Sequence, residues 1–200
     1  MDLAAVALTF GAIFLVELPD KTFLATLVLA TKYRPVLVWI GVGLAFTVQT
    51  GIAVALGHAA SLLPEAAVRS VAVVLFLAGA VILVREGRSH QQERGEESGE
   101  EYAEGARPVH GLRAVGASFL VLFAAEWGDL SQLLTLSLVA RYEAPFSVFV
   151  GALGALLTVS ALAVLVGRSL LRWIPVHVLH YLGAAVCLVL AALTTLDLLR

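Results

Sequence analysis

A chain of 200 residues that is 60% hydrophobic and 14% charged, with a mean hydropathy of +0.94, is too apolar for a soluble domain of its size. Its formal net charge of −2 excludes a basic nucleic-acid-binding surface, and the single Cys187 excludes an internal disulfide. The expected class is an all-α integral membrane protein.

Six apolar runs, at about 3–31, 36–57, 66–84, 112–140, 145–167 and 176–197, suit helices crossing a hydrocarbon core of about 30 Å. The first lacks a basic leader and continues too far for a signal peptide, so a retained helix is expected. Runs one and four would each reach about 43 Å as a continuous helix, so both are expected to break or kink. The break falls at an acidic motif: Glu17-Leu18-Pro19-Asp20-Lys21-Thr22 in the first run, Glu126-Trp127-Gly128-Asp129-Leu130-Ser131 in the fourth. Glu17 and Glu126 are the midpoints of their runs, which puts both motifs near mid-membrane.

The second run carries Thr47, Gln49 and Thr50, and the fifth Thr158 and Ser160; these could line a path or join helices. Between runs three and four lies a segment with Glu93, Glu96, Glu97, Glu100, Glu101 and Glu104, expected to be a flexible acidic tether. The last run opens with His177 and His180, three apart at an expected membrane interface.

The motifs are 109 positions apart, and so are Thr26 and Thr135, Lys32 and Arg141, and Tyr33 and Tyr142. After a one-residue shift Pro35 matches Pro145, Gly41 Gly151, Thr50 Ser160 and Gly57 Gly167. The common order implies a duplication: residues 1–84 as one three-helix repeat, 85–111 as a loop, and 112–200 as the second repeat. An odd number of spans per repeat inverts the second copy, an arrangement that places substrate sites at the midplane. Lys32, Arg34, Arg85, Arg88, Arg94, Arg107, Arg113, Arg168 and Arg172 fall on one side, against Arg69, Arg141 and Arg200 on the other. The positive-inside rule makes the first side cytoplasmic, with the loop there and both termini outside.

Charge inside a bilayer is costly, about 2.5 to 3.5 kcal/mol for an Asp at a helix centre on the mildest scale. Four acids at one depth, Glu17, Asp20, Glu126 and Asp129, therefore point to a cation. Residues three apart share a helix face, so the two pairs can face each other. Thr22 and Ser131 add hydroxyls, Gln132 an amide oxygen, and Lys21 a local counter-charge; Gln49, Thr50 and Ser160 are candidate pathway residues. Such an all-oxygen set suits hard divalent cations. Burial favours protonated carboxyls and a bound cation favours ionised ones, so metal and protons exclude each other, as antiport requires.

At these motifs the chain resembles the Gcr1-dependent translation factor family, small membrane proteins related to the cation/Ca²⁺ exchangers. That family carries two copies of Glu-hydrophobic-Gly-Asp-Lys/Arg-Thr/Ser on spans one and four of six. The resemblance implies Mn²⁺ or Ca²⁺ exchange for protons, with Glu17, Asp20, Glu126 and Asp129 as metal-binding acids and Thr22 and Ser131 as partners. Pro19 replaces a Gly of the pattern and Leu130 a basic residue.

The expected function is a divalent cation/proton antiporter of the cytoplasmic (cell inner) membrane, exporting Mn²⁺, with Ca²⁺ as second choice. It is not an enzyme and needs no cofactor, the ion being its substrate and H⁺ the counter-ion. One chain carries both motifs, so one copy suffices for the site and a homodimer is compatible with it. Two rival readings use the same residues. An intramembrane aspartyl protease would pair Asp20 with Asp129, but each Asp travels with a Glu. An exporter of small organic molecules such as amino acids would need an anion-binding feature, which four acids oppose.

Overall fold

The apolar runs become helices because lipid offers the backbone no hydrogen-bonding partner. The computed structural model describes residues 1–18, 20–60, 64–92, 111–173 and 176–198. Among them are eight helices: α1 Leu3–Glu17, α2 Lys21–Lys32, α3 Pro35–Ala60, α4 Glu65–Gln92, α5 Leu112–Ala125, α6 Leu130–Tyr142, α7 Pro145–Trp173 and α8 Val176–Leu198. The expected breaks are present: α1 meets α2 at 71° and α5 meets α6 at 72°.

By length and composition, α3 and the Pro145–Leu165 part of α7 can each cross a membrane, and each bent pair adds one candidate span. That gives two spans, or up to four. The apolar stretches of α4 and α8, Ser70–Arg85 and Ala184–Leu196, are shorter. Helix α4 also continues past the expected end at 84 to Gln92, and α7 past 167 to Trp173. The added residues include Arg85, Glu86, Arg88, Gln91, Gln92 and Arg172, good helix formers once a hydrophobic stretch has nucleated the helix. Most of the acidic segment, 93–110, lies outside the described residues.

Helices α3 and α7 start at Pro35 and Pro145, whose fixed φ suits a first helical turn. Asp2 caps α1 by accepting from the Ala4 and Ala5 N–H groups at 2.9 and 3.2 Å, while its own N–H donates to Ser147 Oγ of α7 at 2.8 Å. Near the same end Arg141 of α6 donates to Thr194 of α8.

The halves are interlocked. Helix α1 packs on α7 and α5 on α3, while α3 meets α7 and α4 meets α8. A Cβ at Gly151 would lie 2.6 Å from Val6 O and 2.9 Å from Thr9 Cβ; one at Gly41 would run into Val115 O and Ser118 Cβ. Val6 and Val115, like Thr9 and Ser118, are 109 apart, so one helix crossing is built twice. Phe10 stacks on Phe14 at 5.8 Å, and their counterparts Phe119 and Phe123 stack at 5.4 Å. The one-residue shift between repeats is absorbed at Glu143, which ends α6 with φ 49°, where Tyr33 ends α2 extended. Around the core of Ile13, Leu29, Val42, Leu122 and Leu138, side chains such as Leu8, Leu44, Leu56, Val74 and Leu165 stay exposed, as a lipid-facing belt requires.

Candidate functional site

Both breaks are made in the same way. Helix α1 ends on Glu17, and Asp20 N–H donates to Glu17 O at 3.1 Å; α5 gives way at Glu126, and Asp129 N–H donates to Glu126 O at 3.2 Å. Each Asp then takes the N-cap position of the next helix with an extended backbone. Neither side chain accepts a capping bond from a backbone N–H of its helix. In the second loop Gly128 adopts φ 80°, a conformation that Gly reaches without strain. Pro19 and the Lys21 side chain, in the first loop, lie outside what the structure describes.

A broken helix leaves carbonyls without partners, and at the second break two glutamine amides meet them. Gln132 Nε2 donates to Glu126 O at 2.9 Å while its Oε1 accepts from Gly128 N–H at 3.3 Å. Gln49 Nε2, reaching over from α3, donates to Phe123 O at 2.9 Å. Gln132, expected to offer its oxygen to an ion, is thus engaged as a clamp on the loop.

The breaks bring Glu17, Glu126 and Asp129 together: one carboxylate oxygen of each lies within 4.8 Å of the others. Oxygens on opposite sides of a Ca²⁺ are roughly 4.6–5.2 Å apart, so one ion could touch all three. Glu17 and Glu126 are each 1% exposed. Thr22 Oγ1 donates to Glu17 Oε1 at 2.8 Å, and Glu17 Oε2 has no hydrogen-bond partner among the described residues. Asp20 stands outside the cluster, its Oδ2 3.5 Å from Thr22 Oγ1. With Glu17 and Glu126 buried and Asp129 half-buried, three carboxylates this close favour a cation between them.

A cavity of about 10 Å³ adjoins Glu126 and Ser131, lined by Gln49, Thr50, Gln132 and Thr135 with Phe46, Ala53 and Leu156. It has room for about one water-sized body. Of the sequence-derived pathway residues, Gln49 and Thr50 line it. Buried Ser160 instead donates to Leu157 O at 3.0 Å. The exposed Thr47 and Thr158 donate to carbonyls of their own helices, Gly43 O and Gly154 O, at 2.7 Å each. Thr135 was not singled out as a lining residue; its place one turn after Ser131 was the available signal. The His177 and His180 side chains lie outside what the structure describes.

A family model described as the divalent cation/proton antiporter GDT1 matches residues 5–91 and again 114–200, stretches displaced by the same 109 positions as the motifs. The chain is 31% identical over 206 residues to the protein PAM71-homolog, chloroplastic, of Arabidopsis thaliana, covering 92% of this chain and 57% of that protein. It is 30% identical over 160 residues to GDT1-like protein sll0615 of Synechocystis sp., covering 76% and 77% of the two. With GDT1-like protein C17G8.08c of Schizosaccharomyces pombe it shares 27% identity over 225 residues, 90% of this chain and 78% of that one. The chain thus spans under two thirds of the length of the chloroplastic Arabidopsis relative. No solved structure matches it.

Proposed function

The chain belongs to the GDT1 family of divalent cation/proton antiporters, and on that premise we propose that it exchanges Mn²⁺, or Ca²⁺ as second choice, for protons at the paired helix breaks. The carrying observation is the meeting of Glu17 from the first half with Glu126 and Asp129 from the second, within the span of a single ion. Thr22 and Ser131 complete the oxygen set, and Asp20 joins it as the first break shifts. The cation occupies the cluster when the carboxyls have released their protons; protons return when it leaves. One site loaded by either species, but not both, couples the two fluxes. Six spans in two inverted repeats, α1–α2, α3 and α4 against α5–α6, α7 and α8, would expose the site to each side in turn. The proposed setting is the cytoplasmic membrane, with the segment after α4 inside and the termini outside. Ca²⁺ and Mn²⁺ both accept all-oxygen coordination.

The protease reading gains no support, because Asp129 clusters with the two Glu residues rather than with Asp20. An acidic site also repels the carboxylate of an amino acid.

The test is proton movement in liposomes containing a trapped pH dye, with Mn²⁺, Ca²⁺ or Mg²⁺ added outside. Mn²⁺ should drive proton release, and Glu17→Gln or Asp129→Asn should reduce it at least about tenfold, since a charge-assisted contact is worth roughly 1.5–3 kcal/mol. Folded protein that moves neither metal nor protons sinks the reading. Metal entry without protons turns it into a uniporter.

A further inference from the structure

The two motifs match each other, but their surroundings do not. Beside the second break, Gln132 of α6 and Gln49 and Ala53 of α3 line the small polar cavity. The 109-residue offset puts Phe23 of α2 where Gln132 stands, and the 110-residue offset puts Val159 and Ala163 of α7 where Gln49 and Ala53 stand. The paired crossings at Gly41 and Gly151 hold these registers in three dimensions. Phe23, Val159 and Ala163 pack with Leu18 into a cluster of their own, with exposures of 2, 2, 0 and 7%. Trp127, the counterpart of Leu18, is 64% exposed. Where one half has an amide-lined cavity, the other has a dry plug.

We propose that Leu18, Phe23, Val159 and Ala163 form a hydrophobic gate that closes the cation site toward α2, and that the side of the small cavity at Gln49 and Gln132 is the more easily wetted one. The proposal rests on the antiport reading and adds the location of the closed side. An apolar constriction excludes a hydrated ion because water does not wet it. The plug is built where movement can release it: Leu18 and Phe23 flank the break between α1 and α2, while Val159 and Ala163 sit on the continuous helix α7. Tilting α2 away from α7 at that break separates the two faces and admits water to Glu17. In the orientation proposed above, the gate faces the Lys32 side, inside, and the small cavity faces the Arg141 side. The same movement in the other half would part α6 from α3 across amides, so the barriers to the two sides differ in chemistry.

The test uses the full chain with Cys187→Ala and a single cysteine at Thr135→Cys or Thr26→Cys, one turn beyond Ser131 and Thr22 respectively. The probe is a small water-soluble methanethiosulfonate reagent, applied to detergent-purified protein so that both faces are reachable. The cysteine at 135 should react at least about tenfold faster than that at 26, as expected when one conformer dominates. Adding Val159→Gln or Phe23→Gln, the other half's residues, should raise labelling at 26 about tenfold and leave 135 unchanged. Either substitution should also let protons leak from liposomes with no metal present. Equal labelling at 26 and 135, or no change at 26 in two Gln variants that purify as folded monodisperse protein, overturns the gate. Exchange is measured on the same preparation: its absence in the unsubstituted chain sinks the antiport reading, whereas equal labelling in an exchanging protein sinks the gate alone.

Discussion

Gln132 illustrates how a residue's chemistry depends on its neighbours. Its type and its place after Ser131 mark it as an oxygen donor for a metal, yet both ends of its amide hold the loop between α5 and α6. That use depends on Gly128 turning its N–H inward, which a residue list does not reveal. Removing the amide should leave Glu126 O with only its bond from Asp129 N–H and release Gly128 N–H to solvent, at a cost of about 0.5–1.5 kcal/mol per hydrogen bond lost. Gln132→Ala is therefore expected to lower the thermal midpoint and weaken Mn²⁺ binding about tenfold, read by calorimetric titration. Thr158→Val is the control. Its hydroxyl bonds only to its own helix on an exposed face, so a change within about 0.5 kcal/mol is expected. Equal losses in the two variants would remove the clamp.

At the scale of elements, the helices owe their separation to two kinds of glycine. Gly128 supplies a positive φ with nothing within 4 Å of a Cβ, so Gly128→Ala carries only the backbone term, about 1–2 kcal/mol. Gly41 and Gly151 are helical and supply clearance, and Ala there must push α5 off α3 or α1 off α7. Both are expected to cost about 1–3 kcal/mol, by nearly equal amounts, as overpacked positions do. Ala at Gly51 or Gly116, where a Cβ meets nothing, should instead be neutral or stabilise by up to about 1 kcal/mol. Denaturation midpoints of the five variants check the order. The breaks were legible because an acidic motif lies midway along an overlong apolar run. The packing faces were not. In a helix apolar all round, Val42 and Leu44 look alike in sequence, yet the first is buried and the second 51% exposed.

For the whole molecule, the offset of 109 identified which residues correspond but not which half they touch. The duplication could have given two bundles side by side; instead α1 finds its closest partner in α7 and α5 in α3. The matching close approaches at Gly151 and Gly41 belong to those cross-half pairs. The first half alone would therefore leave the Thr9 face of α1 and the Gly41 face of α3 without partners, the second half alone the Gly151 face of α7 and the Ser118 face of α5, and the carboxylate cluster would lose both Glu126 and Asp129 or Glu17. Cutting the chain within the acidic segment, between α4 and α5, should then give two pieces that are unstable apart and competent together. When they are co-produced with a tag on the first, the second should co-purify with it, and the pair should recover metal-driven proton movement in liposomes. Because the cut leaves every α1–α7 and α3–α5 contact available, recovery depends on those contacts. Gly151→Leu, which blocks one crossing in the second piece, should abolish co-purification. Pieces that fold separately and ignore each other would show that the halves are independent bundles and that the shared site does not assemble from both.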